Sequence, residues 1–383
     1  MNIKTTLKTS VAAAALFAIA APVSAGTVSN SNDTASVTLS GHFNKAVLWM
    51  DDGAASRVSI VGNNNSRTRG RIVVKGKLNE AVNYVALSEW GMESNTSNTV
   101  SASDPSTSAS TPEVGSDAQF DQRHTMIRMS HKSFGSIRLG QTSEANDGIT
   151  ENNMTGATDV VYGGNTVVGN GIHLRQDGST VASSTTVGHM MSANGEGGRT
   201  DTIRYDTPSF AGFSAAASFQ ADQSTSYGLR YGGKFGGIKV AAGYGGTVEG
   251  GSGSSTEFAQ GGSIAIGHDS GLSLRASGGY AKQKANNADG HWTASVGGGY
   301  KANLIAAGST NFAVDWTRSA NGSTSSSATG TDADEIDLFS VGLEQETDAG
   351  VKFYLGYQVF MAEQGAVDFD NVSTVMAGTK VFF

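Results

Sequence analysis

The sequence predicts an all-β fold, a transmembrane antiparallel β-barrel of about sixteen strands. Three observations carry this. From about residue 36 onward, short stretches alternate apolar and polar residues, giving strands one greasy and one wet face. Short turns alternate with long polar connections between those stretches. After residue 25 no apolar run approaches the ~20 residues that a membrane-spanning helix needs.

The alternation is clear in several places. Val351, Phe353, Leu355, Tyr357 and Val359 share one parity, with Lys352 and Gln358 on the other. Phe213, Ala215, Ala217 and Phe219 repeat the pattern, as do Ile238, Val240, Ala242 and Tyr244 around Lys239. So do Trp292, Ala294, Val296, Gly298 and Tyr300, and Phe312, Val314 and Trp316 flanking Asp315. In the first strand Lys45 falls on the apolar register of Phe43, Val47 and Trp49, which requires either a bulge or a face buried in a subunit contact.

Tight turns are predicted at Leu78-Asn79-Glu80, 132–135, 235–237, 268–271 and 346–350. Longer polar segments lie near 51–66, 92–120, 143–199, 247–255, 319–334 and 362–371. Both chain ends then fall on the short-turn side, and the sheet must close, because an open edge in lipid leaves backbone groups unsatisfied. A soluble sandwich would need an apolar second face, whereas here that face is charged and polar. Trp49, Trp90, Tyr205, Tyr231, Tyr244, Tyr280, Tyr300 and Trp316 sit near strand ends, as an interfacial girdle would place them.

Residues 1–25 read as a cleaved export signal, leaving 26–383 as the barrel. Lys4 and Lys8 precede an apolar core from Val11 to Ala20, and Val23-Ser24-Ala25 supplies small residues before a cut ahead of Gly26. Cys is absent, so no disulfide stabilises the exported chain. The formal charge is −8, and losing Lys4 and Lys8 takes it to about −10, which argues against a nucleic-acid partner.

Thr374 to Phe383 is an amphipathic strand that ends Lys380-Val381-Phe382-Phe383. It resembles the closing strand of Gram-negative outer-membrane barrels, whose terminal Phe is an assembly signal read by the outer-membrane assembly machinery. The run Arg199 to Phe213 contains Arg204-Tyr205-Asp206-Thr207-Pro208-Ser209-Phe210-Ala211-Gly212-Phe213 and resembles a hairpin of general diffusion porins. Ile127 to Ser130 with Phe134 to Gln141 is similar to the strand, turn and strand before that family's constriction loop. The close matches cover about residues 123–142 and 199–213, while the layout agrees over the mature chain. The resemblance implies a homotrimer of sixteen-stranded barrels in the bacterial outer membrane, with a long third loop folded into the pore. It implies passive diffusion of small hydrophilic solutes and ions, with no catalysis and no cofactor. The segment after Gln141 departs from the best-known members, lacking their Pro-Glu-Phe-Gly-type turn. An extra hairpin at Thr185 to Met191 would give eighteen strands and a more substrate-specific channel.

Parity also assigns charges to the lumen. Arg67, Arg69 and Arg71 are spaced by two and hence share a face, continued by Lys75 and Lys77, with Ile72 and Val74 opposite. Arg128, Arg138, Arg204 and Arg230 each have apolar neighbours, and Arg275 follows Leu274. A charge on the lipid face at mid-membrane costs roughly 2–4 kcal/mol, so these arginines turn to water. Within the candidate constriction loop 143–199, Glu144, Asp147, Glu151 and Asp159 supply the opposite sign. Arginines facing such a loop set up a field across the pore. Overall acidity favours cations and the lumenal arginines favour anions, so ion preference stays open at this level.

Other chemistry finds no support. There is no His-Glu-x-x-His, no Gly-x-Ser-x-Gly, no phosphate-binding Gly-Lys-Ser/Thr and no EF-hand spacing for calcium. A barrel enzyme or adhesin remains the third reading, after general diffusion and a substrate-specific channel.

Overall fold

The parity read from the sequence becomes a barrel in the computed structural model, which describes residues 26–29, 35–103, 119–191, 195–251, 255–284, 290–322 and 334–383. The export signal and most of the segment from Ser94 to Ser116 lie outside these residues. In chain order the strands begin with β1 (Gly26–Ser29), β2 (Ala35–Asp51), β3 (Ser56–Gly62), β4 (Arg69–Lys77), β5 (Val82–Glu93), β6 (Gln119–His131) and β7 (Gly135–Ser143). After a long connection come β8 (Arg199–Asp206), β9 (Phe213–Gln220), β10 (Thr225–Phe235), β11 (Ile238–Val248), β12 (Thr256–His268) and β13 (Leu272–Gln283). The last six are β14 (His291–Ile305), β15 (Gly308–Ala320), β16 (Asp334–Thr347), β17 (Val351–Gln364), β18 (Val367–Asp368) and β19 (Val372–Phe382).

Every strand-to-strand pairing among the described residues is antiparallel, and β19 closes the sheet on β2, with Phe382 opposite His42 and Ser373 opposite Asp51. Two staves are interrupted. β2 pairs along one edge with both β3 and β4, so these form a single stave broken at Asn64–Ser66 by a 3-10 turn. β18 likewise precedes β19 against β17. Counted as staves the closed barrel has sixteen strands. The short β1 pairs with Ser36–Leu39 of β2, beyond the stretch of β2 that β19 reaches.

Three sequence expectations change. The long segment predicted near 51–66 is a four-residue turn, Asp52–Ala55, followed by β3, because Asp52 Oδ1 accepts from the backbone N–H of Ala54 and Ala55 and closes it tightly. The extra hairpin at Thr185–Met191 is instead a single helical turn α1 (Val187–Met190), capped by Thr186 Oγ1. The count is therefore sixteen, not eighteen. At Lys45 the β2 register continues without a bulge, and its Nζ lies on the outer face and donates to Ser94 Oγ at 3.1 Å.

The outer face is apolar. Leu39, Phe43, Val47, Ile127, Ile203, Leu229, Leu274, Val314 and Leu355 are exposed, as lipid-facing residues are in an isolated chain. Aromatic pairs mark both rims: Tyr227–Tyr244 and Phe258–Tyr280 at the long-loop end, Phe213–Tyr231 at the short-turn end.

Candidate pore constriction

The basic wall follows from β4 and its neighbours. Arg67, Arg69 and Arg71 share a parity, and pairing with β5 sets Glu89 opposite Arg71. Glu89, 5% exposed, serves three arginines: Arg123 Nε at 2.8 Å, Arg69 Nη1 at 3.5 Å and Arg71 Nε at 3.7 Å. Arg67 lies 3.2 Å from Asp121 and 3.7 Å from Glu93. Arg199, the first residue of β8, donates from Nε to His124 Nε2 at 3.3 Å.

The segment 144–198 makes its contacts with strand residues of the parity opposite to the apolar band. Starting from β8, Ala145 N–H donates to Ser218 Oγ of β9, and Thr247 Oγ1 of β11 donates to Asn146 Oδ1. Further on, Ser263 Oγ of β12 donates to Ile149 O, and Asp159 N–H donates to Glu344 Oε1 of β16. Thus the segment runs past successive staves. At its far end Lys380 Nζ of β19 donates to both Asp159 oxygens at 2.6 and 2.9 Å, and Asn44 Nδ2 of β2 donates to Oδ1 at 3.3 Å. Val160 seats where β16 and β17 carry Gly342 and Gly356, since a Cβ at either glycine would overlap its side chain.

From residue 166 the segment doubles back and builds an apolar cluster. Val168, Ile172, Leu174, Val187 and Met190 pack with Leu48, Met50, Ile336, Leu338, Phe360 and Val372 from the strands. An enclosed ion pair fixes this lobe at the long-loop rim: Arg175 Nη2 lies 3.0 Å from Asp52 Oδ2, and Ser103 Oγ also donates to that carboxylate. Burial opposes ionisation of Asp52, but the bonds from Ser103 and Arg175 outweigh it and hold its pKa below the usual carboxylate value.

Between the basic wall and the segment lies a cavity of about 660 Å³, with Arg67, Arg69, Arg123 and Arg199 on one side and Glu151 and Tyr162 on the other. Burial pushes the Glu151 pKa up, against the Tyr162 hydrogen bond and with help from the Asp147 charge. Glu196, brought beside it by the returning chain, accepts from Thr150 N–H, and burial together with Glu151 raises its pKa to about 7.

The remaining sequence-selected residues divide by location. Arg138 and Arg204 flank Asp206 at 3.1 and 2.6 Å, and Arg230 donates to the carbonyls of Ala145 and Asp147. Arg128 lies directly opposite Arg138. Glu144 accepts from Gly198 N–H and Ser226 Oγ, and Asp147 lies 4.0 Å from Arg199. Glu151 alone of the four acids lines the 660 Å³ cavity, while Asp159 is buried against Lys380. Arg275 forms an enclosed pair with Asp315 at 3.1 Å. Phe383 exchanges backbone hydrogen bonds with Gly41, its ring 5.5 Å from Phe43.

Sequence parity missed Arg123 and Arg199. The β5–β6 register shifts between Glu89 and Trp90, so Arg123 sits at a bulge where counting by two from Arg128 fails. Arg199 stands on the parity of Ile203 and Tyr205, opposite to Arg204, so counting by two sends it to the outer face, yet at the first position of β8 it lines the cavity.

No curated protein sequence matches the chain. Several solved structures resemble it. The anion-selective porin from Comamonas acidovorans superposes with a TM-score of 0.59 at 15% identity, covering 91% of this chain and 100% of its own. OmpF of Salmonella typhi, in complex with daunomycin, gives 0.59 at 14% identity over 93% and 100%. OmpT of Vibrio cholerae in its trimer form gives 0.57 at 11% identity over 92% and 100%. These likenesses show the fold. A family model described as Gram-negative porin matches residues 10–366. By that match, and with a closed sixteen-strand barrel behind it, the chain belongs to the Gram-negative porins, non-enzymatic diffusion channels of the outer membrane.

Proposed function

We propose that the chain forms a water-filled pore for small hydrophilic solutes and ions, narrowed by residues 144–198, with anions preferred. The facing of Arg67, Arg69, Arg123 and Arg199 against Glu151 across a single cavity carries this reading. Charges of opposite sign on facing walls orient water and dipolar solutes, so an apolar solute must displace ordered water to pass. Arginines outnumber carboxylates around the cavity, which favours anions despite the acidic whole-chain charge. Glu144 and Asp147 belong to the loop side of this arrangement, and Asp159 anchors it. The reading includes a homotrimer embedded in outer-membrane lipid, export through a leader cut before Gly26, and insertion guided by Phe383. No nucleic acid, metal or cofactor enters it.

Single-channel recording in asymmetric KCl tests it. Ohmic steps, often in threes, with a reversal potential of anion-selective sign support it. Folded barrels without conductance refute the channel, and a cation-selective potential refutes the ion preference.

A further inference from the structure

A second group of arginines lies on the short-turn side of the cavity just described. Arg128 of β6, Arg138 of β7 and Arg204 of β8 stand directly opposite one another in register across three adjacent strands. Neighbouring strands lie ~4.8 Å apart, and like charges placed opposite each other destabilise a sheet. The compensation is incomplete. Among the described residues Asp206 alone bridges Arg138 and Arg204. Arg230, across β9, donates to the loop carbonyls of Ala145 and Asp147, which satisfies its N–H groups without neutralising its charge. The Nε of Arg128 is buried with no hydrogen-bond partner among the described residues. Arg138, Arg204 and Arg230 line a cavity of about 410 Å³ together with Asp147 and Asp206, and small side chains (Ser214, Ala215, Ala216) complete its floor.

Resting on the pore reading, we infer that this row is a binding site for small solutes bearing two oxyanion groups, dicarboxylates or phosphate-bearing metabolites. The fixed planes of the guanidinium groups present paired donors that match carboxylate or phosphate oxygens. A row of such groups on successive strands engages two oxyanions of one solute better than it engages chloride or a single carboxylate. Arg204, enclosed and holding Ser143 O and Glu144 O, is a positioning residue, whereas Arg138 is the contact available to a solute in the cavity and Arg128 stands beside it in register.

Titration calorimetry on the full barrel folded in detergent tests the site without relying on conductance. The probes are succinate, acetate and pyrophosphate at pH 7. Succinate is expected to bind saturably and at least about tenfold more tightly than acetate. The R128Q/R138Q variant is expected to weaken succinate binding by about tenfold or more, while R69Q, in the upper group, changes it by less than about threefold. Pyrophosphate binding weakened in R128Q/R138Q supports the site for phosphate-bearing solutes, and pyrophosphate binding unaffected by that variant overturns the phosphate part of the proposal. Equal affinity for acetate and succinate, or binding lost in R69Q but kept in R128Q/R138Q, overturns the proposal. Conductance recorded in parallel separates the two readings, because open channels without saturable succinate binding sink this inference alone.

Discussion

Lys380, near the end of the closing strand, donates to both carboxylate oxygens of Asp159, far inside the long segment that follows β7. Both side chains are enclosed, at 8% and 1% exposed, so each charge depends on the other. Removing one leaves the partner buried and uncompensated, at a cost of about 3–5 kcal/mol. Asp159→Asn is therefore expected to lower the denaturant midpoint of the barrel and to make the 144–198 segment sensitive to protease. The pair D159N/K380Q should recover part of that loss. Wild-type stability in D159N alone contradicts the anchoring role.

Arg175 and Asp52 offer a second, independent lever on the same segment. Arg175→Met leaves the Asp52 carboxylate enclosed with Ser103 but without its cation. The lobe around α1 should detach from the long-loop rim while the barrel stays folded. Larger and noisier single-channel steps are expected, and unchanged conductance with unchanged noise argues against a seated lobe.

Exchange of charge at the cavity should move selectivity in opposite directions. Arg199→Gln removes a cation that faces the cavity, and Glu151→Gln removes an anion from the facing side. The first variant should shift the reversal potential toward cations and the second toward anions. Identical shifts from both point to a general effect on the barrel rather than a field across the cavity.

Glu196 makes that field depend on pH. Its pKa, raised to about 7 by burial and by Glu151, exceeds that of an ordinary carboxylate. Above about pH 7 the loop side carries this extra negative charge, and as pH falls through that value the group takes up a proton. Anion preference should therefore rise on acidification from pH 8 to pH 6. Glu196→Gln should hold the anion preference high across that range and flatten its pH dependence. A wild-type reversal potential independent of pH removes Glu196 from the eyelet.

The barrel was largely legible in the sequence because lipid forces a period of two. Leu39, Phe43 and Val47 had to face outward, and the closing strand ending at Phe383 follows the same rule. The arginines of β4 were legible for the same reason. Arg123 was not, because a bulge between Glu89 and Trp90 offsets the count, and bulges leave no fixed mark in composition. Nor was the path of 144–198. Asp159 and Glu151 look alike in the sequence, yet one meets Lys380, 221 positions away, and the other meets Tyr162 and Glu196 of its own folded segment. The turn at Asp52–Ala55 was obscured by polar residues that suit a loop and an exposed strand equally well.

The cluster formed by Val168, Ile172, Leu174, Val187 and Met190 against Leu48, Met50, Ile336 and Phe360 has a consequence for engineering. Loops of a barrel are usually trimmed at little expense, since they hang in water. This one is welded: excising it would strand a greasy stripe along an aqueous bore. Widening the channel by deletion therefore calls for repainting the stripe at Leu48, Met50, Ile336, Leu338 and Phe360 with polar residues in the same step, or the shortened chain will sacrifice solubility and folding for bore width.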